Sequence, residues 1–289
     1  MSVVAEAPAR SEASVARRER LRVLLRSPSF LLGAGVILFW VFCAILGERI
    51  TPYHPLFDQT PDLSASPSSE HWFGTDRLGR DVFSRVLAGS RDILLIAPLA
   101  TVLATVFGTA LGLITGYLRG IADDTISRVI DAVLAIPLIV LAVTVVASLG
   151  SRSVWSVTLV IAIVFSPIIA RTVRAAVLGE AQLDYVEAAR LRGENSIYVM
   201  FSEVLPNVMP PILVEATIRL GYAIFAVATL TFIGFGLQPP SADWAVQIGD
   251  NYQFLDQQWW TVLFPALAIA SLVVAVNLVS DSVQQVLER

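Results

Sequence analysis

The residues best placed to do work lie in one stretch, Asp184-Tyr-Val-Glu-Ala-Ala-Arg-Leu-Arg-Gly-Glu-Asn-Ser-Ile-Tyr-Val-Met-Phe-Ser-Glu-Val-Leu-Pro206. Asp184 with Glu187 three residues on reads as a capping box, and Gly193 is placed to end that helix in a left-handed turn. Asn195 or Ser196 then caps a second helix through Ile197, Met200, Phe201 and Val204, which Pro206 is expected to terminate. Together they make a helix-turn-helix. Small Ala188 and Ala189 offer a low surface on which a partner can sit, and the Gly193 turn exposes backbone at the tip. A second place of interest is Glu215 and Arg219, four apart on one helix face in the favourable order for a pair. They either line a path or form a salt bridge at a membrane interface.

Elsewhere the chemistry is thin. All 20 basic residues are arginine, so the standard phosphate-binding loop, which needs a lysine, is excluded and ATP-driven work requires another polypeptide. His54, His71 and the single Cys43 are too few for a usual structural zinc site or a disulfide, so no metal is expected on this chain. A net charge of −4 argues against a nucleic-acid partner.

These residues must be carried by membrane helices. Of 289 residues 55% are apolar and only 15% charged, with a mean hydropathy of +0.70, which excludes a soluble globular enzyme. A window of about 20 apolar residues gives six spans, at 30–47, 93–116, 132–150, 154–170, 212–237 and 262–280, preceded by an arginine-rich tail at 1–29. The first run is longer than a cleaved leader's apolar core and reads as a retained span. Thirteen arginines fall in the tail, 117–131, 171–211 and 281–289, against six on the opposite side. By the positive-inside bias both termini are expected in the cytoplasm. The reading is an all-α polytopic protein with one membrane domain, 30–289.

The connections 48–92, 171–211 and 238–261 exceed the usual loop length and are where function is expected. In the second span Ala100, Ala104, Gly108, Gly112 and Gly116 recur every fourth residue, a stripe on which another helix can sit closely. Val82, Phe83, Val86 and Leu87 stand beside Arg80, Asp81 and Arg85, so this outer segment reads as an amphipathic helix on the membrane surface. It either receives a partner or covers the rim. Asn277 and Asp281 in the last span contact a path or another helix.

Glu187-Ala188-Ala189, Gly193 after three residues and Leu205-Pro206 after eleven more resemble the EAA loop of ABC importer membrane subunits. His71-Trp-Phe-Gly-Thr-Asp-Arg-Leu-Gly-Arg-Asp-Val82, Thr231-Phe-Ile-Gly-Phe-Gly-Leu-Gln-Pro-Pro240 and Ala275-Val-Asn-Leu-Val-Ser-Asp281 are similar to the C-type permeases of dipeptide, oligopeptide and nickel importers. The resemblance implies a type I importer transmembrane domain in a bacterial inner membrane. Its ATPase-coupling element would comprise Tyr185, Glu187, Ala188, Ala189, Gly193, Leu205 and Pro206. It further implies a second, distinct permease, two cytoplasmic ATPases that use ATP and Mg, and an extracytoplasmic peptide-binding protein. This chain would bind no cofactor and supply no catalytic residue. Peptide is preferred as substrate, with nickel or another small solute open.

Two rivals come from other classes. An ion-coupled secondary transporter needs intramembrane carboxylates or a broken helix at a midplane site, and only Glu215/Arg219 qualifies, near one end of its span. A membrane-embedded hydrolase needs a Ser/His or metal constellation, and both histidines fall in one outer loop.

Overall fold

The computed structural model describes residues 22–287; residues 1–21 of the tail and the last two residues lie outside the described residues. Apart from one isolated bridge between Thr75 and Asp81, the regular structure described is helical. In bilayer a helix satisfies every backbone group within its own segment. The helices are α1 (Pro28–Leu46), α2 (Val82–Ala88), α3 (Ser90–Leu118), α4 (Gly120–Leu134), α5 (Leu138–Leu149), α6 (Val154–Glu180), α7 (Asp184–Leu191), α8 (Ser196–Tyr198), α9 (Leu205–Phe232), α10 (Trp244–Asn251) and α11 (Trp260–Leu287). Five described helices are long and apolar enough to cross a membrane, or six if the bent pair α4 and α5 is one span.

Four of the expected spans differ clearly from the observed helices; the last runs to Leu287 rather than 280. The run 132–150 is not one helix: α4 and α5 meet at 96°. Pro137 is extended (φ −53°, ψ 129°) and caps α5, and a residue before proline is steered away from helix. The run 154–170 continues to Glu180, because Val173 and Val177 extend the buried face of Ile169 past the charged Arg171 and Arg174. The fifth helix starts at Leu205 rather than 212 and ends at Phe232 rather than 237; Gly234 then turns with φ +84°.

The small-residue stripe sets a close packing of α3 on α6. Gly108, Gly112 and Gly116 of α3 sit on Ile169, Val173 and Val177 of α6, each pair one helical turn from the next. A Cβ at Gly112 would lie 2.6 Å from Val173 Cβ and 2.8 Å from the Ala170 carbonyl oxygen. Ala100 and Ala104 continue the stripe and are fully buried. On the other side of α6, Arg174 makes a two-pronged pair with Asp123 of α4 at 2.7 and 2.8 Å, and Arg171 pairs with Asp131. These pairs hold α4 across α6.

The segment around α2 is folded inward, contrary to the surface-helix expectation. Asp81 caps α2 by accepting the Ser84 N–H at 2.8 Å, and its other oxygen meets His71 Nδ1 at 2.9 Å. Arg85, only 1% exposed, donates to the carbonyls of Pro55 and Ser241 at 3.2 and 3.1 Å. Trp244 Nε1 donates to Val86 O at 2.7 Å, and Gln247 reaches Arg85 O. Both sides of α2 are therefore covered, the polar one with Ser84 and Arg85 as well as the apolar one with Val82, Val86 and Leu87. The charges there are tolerated because loop 48–81 and α10 supply their partners.

Asp243 caps α10 within this knot, its Oδ1 accepting the N–H groups of Ala245 and Val246. Burial, with a further contribution from Asp92, pushes its carboxyl up to about 7. The folded state then holds a proton that the unfolded chain releases near its ordinary pKa, so stability falls as pH rises from about 4 through 7. The purified assembly is expected to melt higher at pH 5.5 than at pH 8. Asp243→Asn, which keeps the accepting oxygen, should shrink that difference, and an unchanged pH dependence in the variant would refute the assignment.

Candidate functional site

The stretch 184–206 forms a projecting hairpin with a fixed base and a bare tip. Asp184 is the first residue of α7 and not its cap. Leu183 occupies the cap without a side-chain bond, and its carbonyl takes the N–H groups of Val186 and Glu187. No capping box forms; Asp184 and Glu187 instead place negative charge in the first turn, where the helix dipole favours it. Gly193 takes the left-handed turn at φ +79°, its N–H donating to Arg190 O at 3.0 Å. Asn195, rather than Ser196, caps the next helix through the Ile197 N–H at 3.1 Å.

The two alanines divide their roles. Ala189 is fully buried with Val186 and anchors α7, whereas Ala188 and Glu187 face outward. Pro206 does not end the second helix, which runs on from α8 through a π-helical stretch, Val199–Val204, into α9. The Leu205 N–H donates to Met200 O, five residues back. This wider turn immediately precedes Pro206, which sits in the first turn of α9, where a missing N–H costs least.

Tyr185 ties the hairpin base to both flanking helices. Its hydroxyl donates to Glu180 Oε1 of α6 at 2.7 Å and accepts from Asn207 Nδ2 of α9 at 3.0 Å; Asn207 also donates to Glu203 O at 2.7 Å. Burial, followed by the bond to and the charge of Glu180, pushes the phenol up to about 12, so it stays protonated and able to donate. Glu180 and Asn207 were not among the residues picked out from sequence. Asn207 lies one residue beyond the Leu205-Pro206 signal and Glu180 in the stretch taken for loop. At the tip, Arg190 Nε donates to Tyr117 OH of α3 at 3.1 Å, and a cleft of ≈ 800 Å³ opens between α7 and the α3–α4 corner. Leu191 is 83% exposed, and Ile197, Tyr198 and Phe201 of the second arm are exposed as well.

The intramembrane pair forms as the spacing implies: Arg219 Nε donates to Glu215 Oε1 at 2.5 Å, both side chains largely buried. The Arg219 guanidinium also lies 5.3 Å from the Tyr222 ring centroid. The pair starts ten residues into α9, about 15 Å along the axis. Asn277 of α11 stands against Gly221 of α9, beside a cleft of ≈ 290 Å³. The structure thus places Asn277 near the α9 face that bears Tyr222.

Fold and site together define a multi-pass helical membrane subunit with a helical hairpin at 184–206 and a folded polar segment around α2 and α10. Residues 108–289 match the family described as "Binding-protein-dependent transport system inner membrane component". The chain is 37% identical to the Di/tripeptide transport system permease protein DppC of Pseudomonas aeruginosa (strain UCBPP-PA14), over 100% of this chain and 98% of that one. It is 40% identical to the Dipeptide transport system permease protein DppC of Escherichia coli (strain K12), over 91% and 89%. A chain of the MetNI methionine ABC transporter, solved in inward-facing conformations, superposes with a TM-score of 0.59 at 20% identity, covering 72% of this chain and 98% of that one. The chain belongs to the family of binding-protein-dependent transport inner membrane components. It is a permease subunit of a multi-subunit transport system and not the subunit that hydrolyses nucleotide.

Proposed function

We propose that the chain is half of the translocation path of an ATP-driven peptide importer and that 184–206 is its coupling element. The observation that carries this is the hairpin: Val186, Ala189 and Tyr185 anchor its base, while Glu187, Ala188, Leu191, Ile197 and Phe201 are left bare. That arrangement suits a lever. A push on the tip reaches α6 through Glu180 and α9 through Asn207, and the π-helical stretch between them is a common site of functional bending. The names of the relatives support dipeptides or short peptides as cargo.

In this reading a second, distinct permease completes the pore and two cytoplasmic ABC ATPases, using ATP and Mg, take the hairpins. A peptide-binding protein delivers cargo to the outer face of a bacterial inner membrane. Both termini are cytoplasmic, on the side of the hairpin. Glu215, Arg219 and Asn277 line the inner half of the path, because charged and amide groups on spanning helices face a bundle interior or a water-filled path.

The test is copurification from membranes of the native chain and of a Gly193→Pro, Glu187→Arg double variant. Proline cannot adopt φ +79° and lacks the N–H that closes the turn. The native chain is expected to bring down ATPase subunits. The variant is expected to lose them, and with them peptide-stimulated ATP hydrolysis, while its permease partner stays. Absence of ATPase from the native assembly would refute the reading.

Replacing both Glu215 and Arg219 with leucine keeps the helix face filled. If the pair lines the path, peptide uptake falls with expression unchanged; normal uptake would leave it a plain salt bridge.

A further inference from the structure

We propose that the cleft between α9 and α11 holds the free α-ammonium group of a passing peptide, with Asp281 and Asn277 as its acceptors. This rests on the peptide-import reading above and adds a chemical requirement to it. Asn277 and Asp281 are four residues apart on the same face of α11, and both are exposed. Neither side chain makes a hydrogen bond or ion pair among the described residues. Asn277 falls within the apolar run of α11 and Asp281 at its inner end. Unmatched polar groups there are costly against lipid and face water or a ligand instead.

The cleft is built for them. Gly221 supplies the room: a Cβ at that position would stand 2.7 Å from Asn277 Oδ1. Ser280, between the two, donates to Thr217 O of α9 at 3.1 Å and fixes the spacing of the helices at this level. Tyr222 and Phe225 present exposed rings on one wall, with Ile218 and Val273 completing it. A carboxylate, an amide oxygen and aromatic rings form the surroundings that bind an organic ammonium.

Four oxygen-bearing side chains line the cleft, Tyr222, Asn277, Ser280 and Asp281, with the Ser280 hydroxyl already bonded to Thr217 O, which falls short of the six or more oxygens of a hard-cation site. The nearby guanidinium of Arg219 is already held by Glu215 at 2.5 Å, so the cleft offers no free cation to a peptide carboxylate. Its volume of ≈ 290 Å³ is at the small end for ligand sites, which begin at about 300 Å³. It therefore fits the amino end of a peptide and one side chain. With Asp281 at the cytoplasmic end of α11, the amino group would be held last before release.

The experiment uses the complete membrane assembly, with its partner permease and ATPases, purified without the binding protein. Binding of alanyl-phenylalanine and of N-acetyl-alanyl-phenylalanine is followed by saturation-transfer NMR. The free-amine peptide is expected to bind the native assembly more tightly than the acetylated one. Asp281→Asn should weaken the free-amine peptide about tenfold, the size of one charge-assisted bond, and leave the acetylated peptide unchanged. Asp281→Glu should restore part of the difference, and Gly221→Ala should reduce it by displacing Asn277.

Equal binding of the two peptides, or an Asp281→Asn assembly that binds as the native one does, overturns the proposal. Loss of the partner permease from Asp281→Asn on copurification also overturns it, because the acid then serves the subunit contact. Uptake of alanyl-phenylalanine by native proteoliposomes supplied with the binding protein separates the two levels. Uptake without amine discrimination in the cleft removes only the ammonium site, whereas no uptake removes the peptide-import reading beneath it.

Discussion

Gly112→Val is expected to prevent accumulation of the folded subunit. Gly112 is the middle contact of the α3–α6 seam, where the two helices come closest, and the space a side chain needs is already filled by Val173 Cβ and the Ala170 carbonyl. A carbonyl of a packed helix cannot rotate away as a long side chain can. The clash is relieved only by separating α3 from α6 along several turns, because Gly108 and Gly116 make the same contact on either side. Between lipid-embedded helices there is no hydrophobic drive to compensate, since close van der Waals packing is itself the main attraction.

Overpacking a well-filled core typically costs about 1 to 3 kcal/mol and sometimes more, and valine adds two methyl groups beyond the first clash. Gly112→Ala should be milder than Gly112→Val, and Gly35→Val serves as control, since nothing lies within 4 Å of a Cβ at Gly35. The measurement is monodisperse yield and thermal melting by fluorescence-detected chromatography. If Gly112→Val behaves as Gly35→Val does, the seam is not what holds α3 to α6.

That seam was legible in the sequence because its signal is periodic: five small residues at every fourth position mark one face whatever lies opposite. The hairpin was legible for a related reason, since Gly193 and its spacing from Glu187 and Leu205 fix a turn that few other residues can make. The same local reading failed where the answer depended on a distant partner. Arg171 and Arg174 looked like the start of a loop because the carboxylates that balance them, Asp131 and Asp123, belong to another helix. Tyr185 was picked out by resemblance, but its tie to Glu180 and Asn207 joins two helices that the sequence separates by more than 20 residues. Hydropathy along 132–150 is blind to backbone, so the break at Pro137 left the run reading as one span. The segment around α2 was read as lying on the membrane surface, because amphipathic periodicity reveals that there are two faces and leaves open whether the polar one is covered as well.

In that covered segment, Asp76→Ala is expected to give the second large effect. Asp76 is 2% exposed, and its Oδ1 accepts the backbone N–H groups of Leu78 and Arg80, both at 2.9 Å. Its Oδ2 accepts Arg80 Nε at 2.7 Å and lies 3.9 Å from Arg85 Nε. Two largely buried guanidiniums thus share one carboxylate, and among the described residues the only other acid within ion-pair distance of either is Asp250, 3.9 Å from Arg80. Removing Asp76 leaves like charges facing each other in a dry site, and breaking a buried pair in this way costs about 3 to 5 kcal/mol.

Asp76→Asn retains an acceptor for the two backbone N–H groups and should fall between Ala and the native residue. Adding Arg80→Met to Asp76→Asn removes the cation that the lost charge had balanced. The double variant should therefore melt above the sum of the two single effects. Strict additivity would show that Arg80 and Asp76 act independently, and native-like melting of Asp76→Ala would show that solvent reaches the site. The knot also holds α11, since Trp260 Nε1 donates to Thr75 O at 3.0 Å beside Asp76. Its collapse would free the N-terminal end of the helix whose C-terminal half carries Asn277 and Asp281. Loss of uptake in Asp76→Ala should therefore accompany loss of the melting transition rather than precede it.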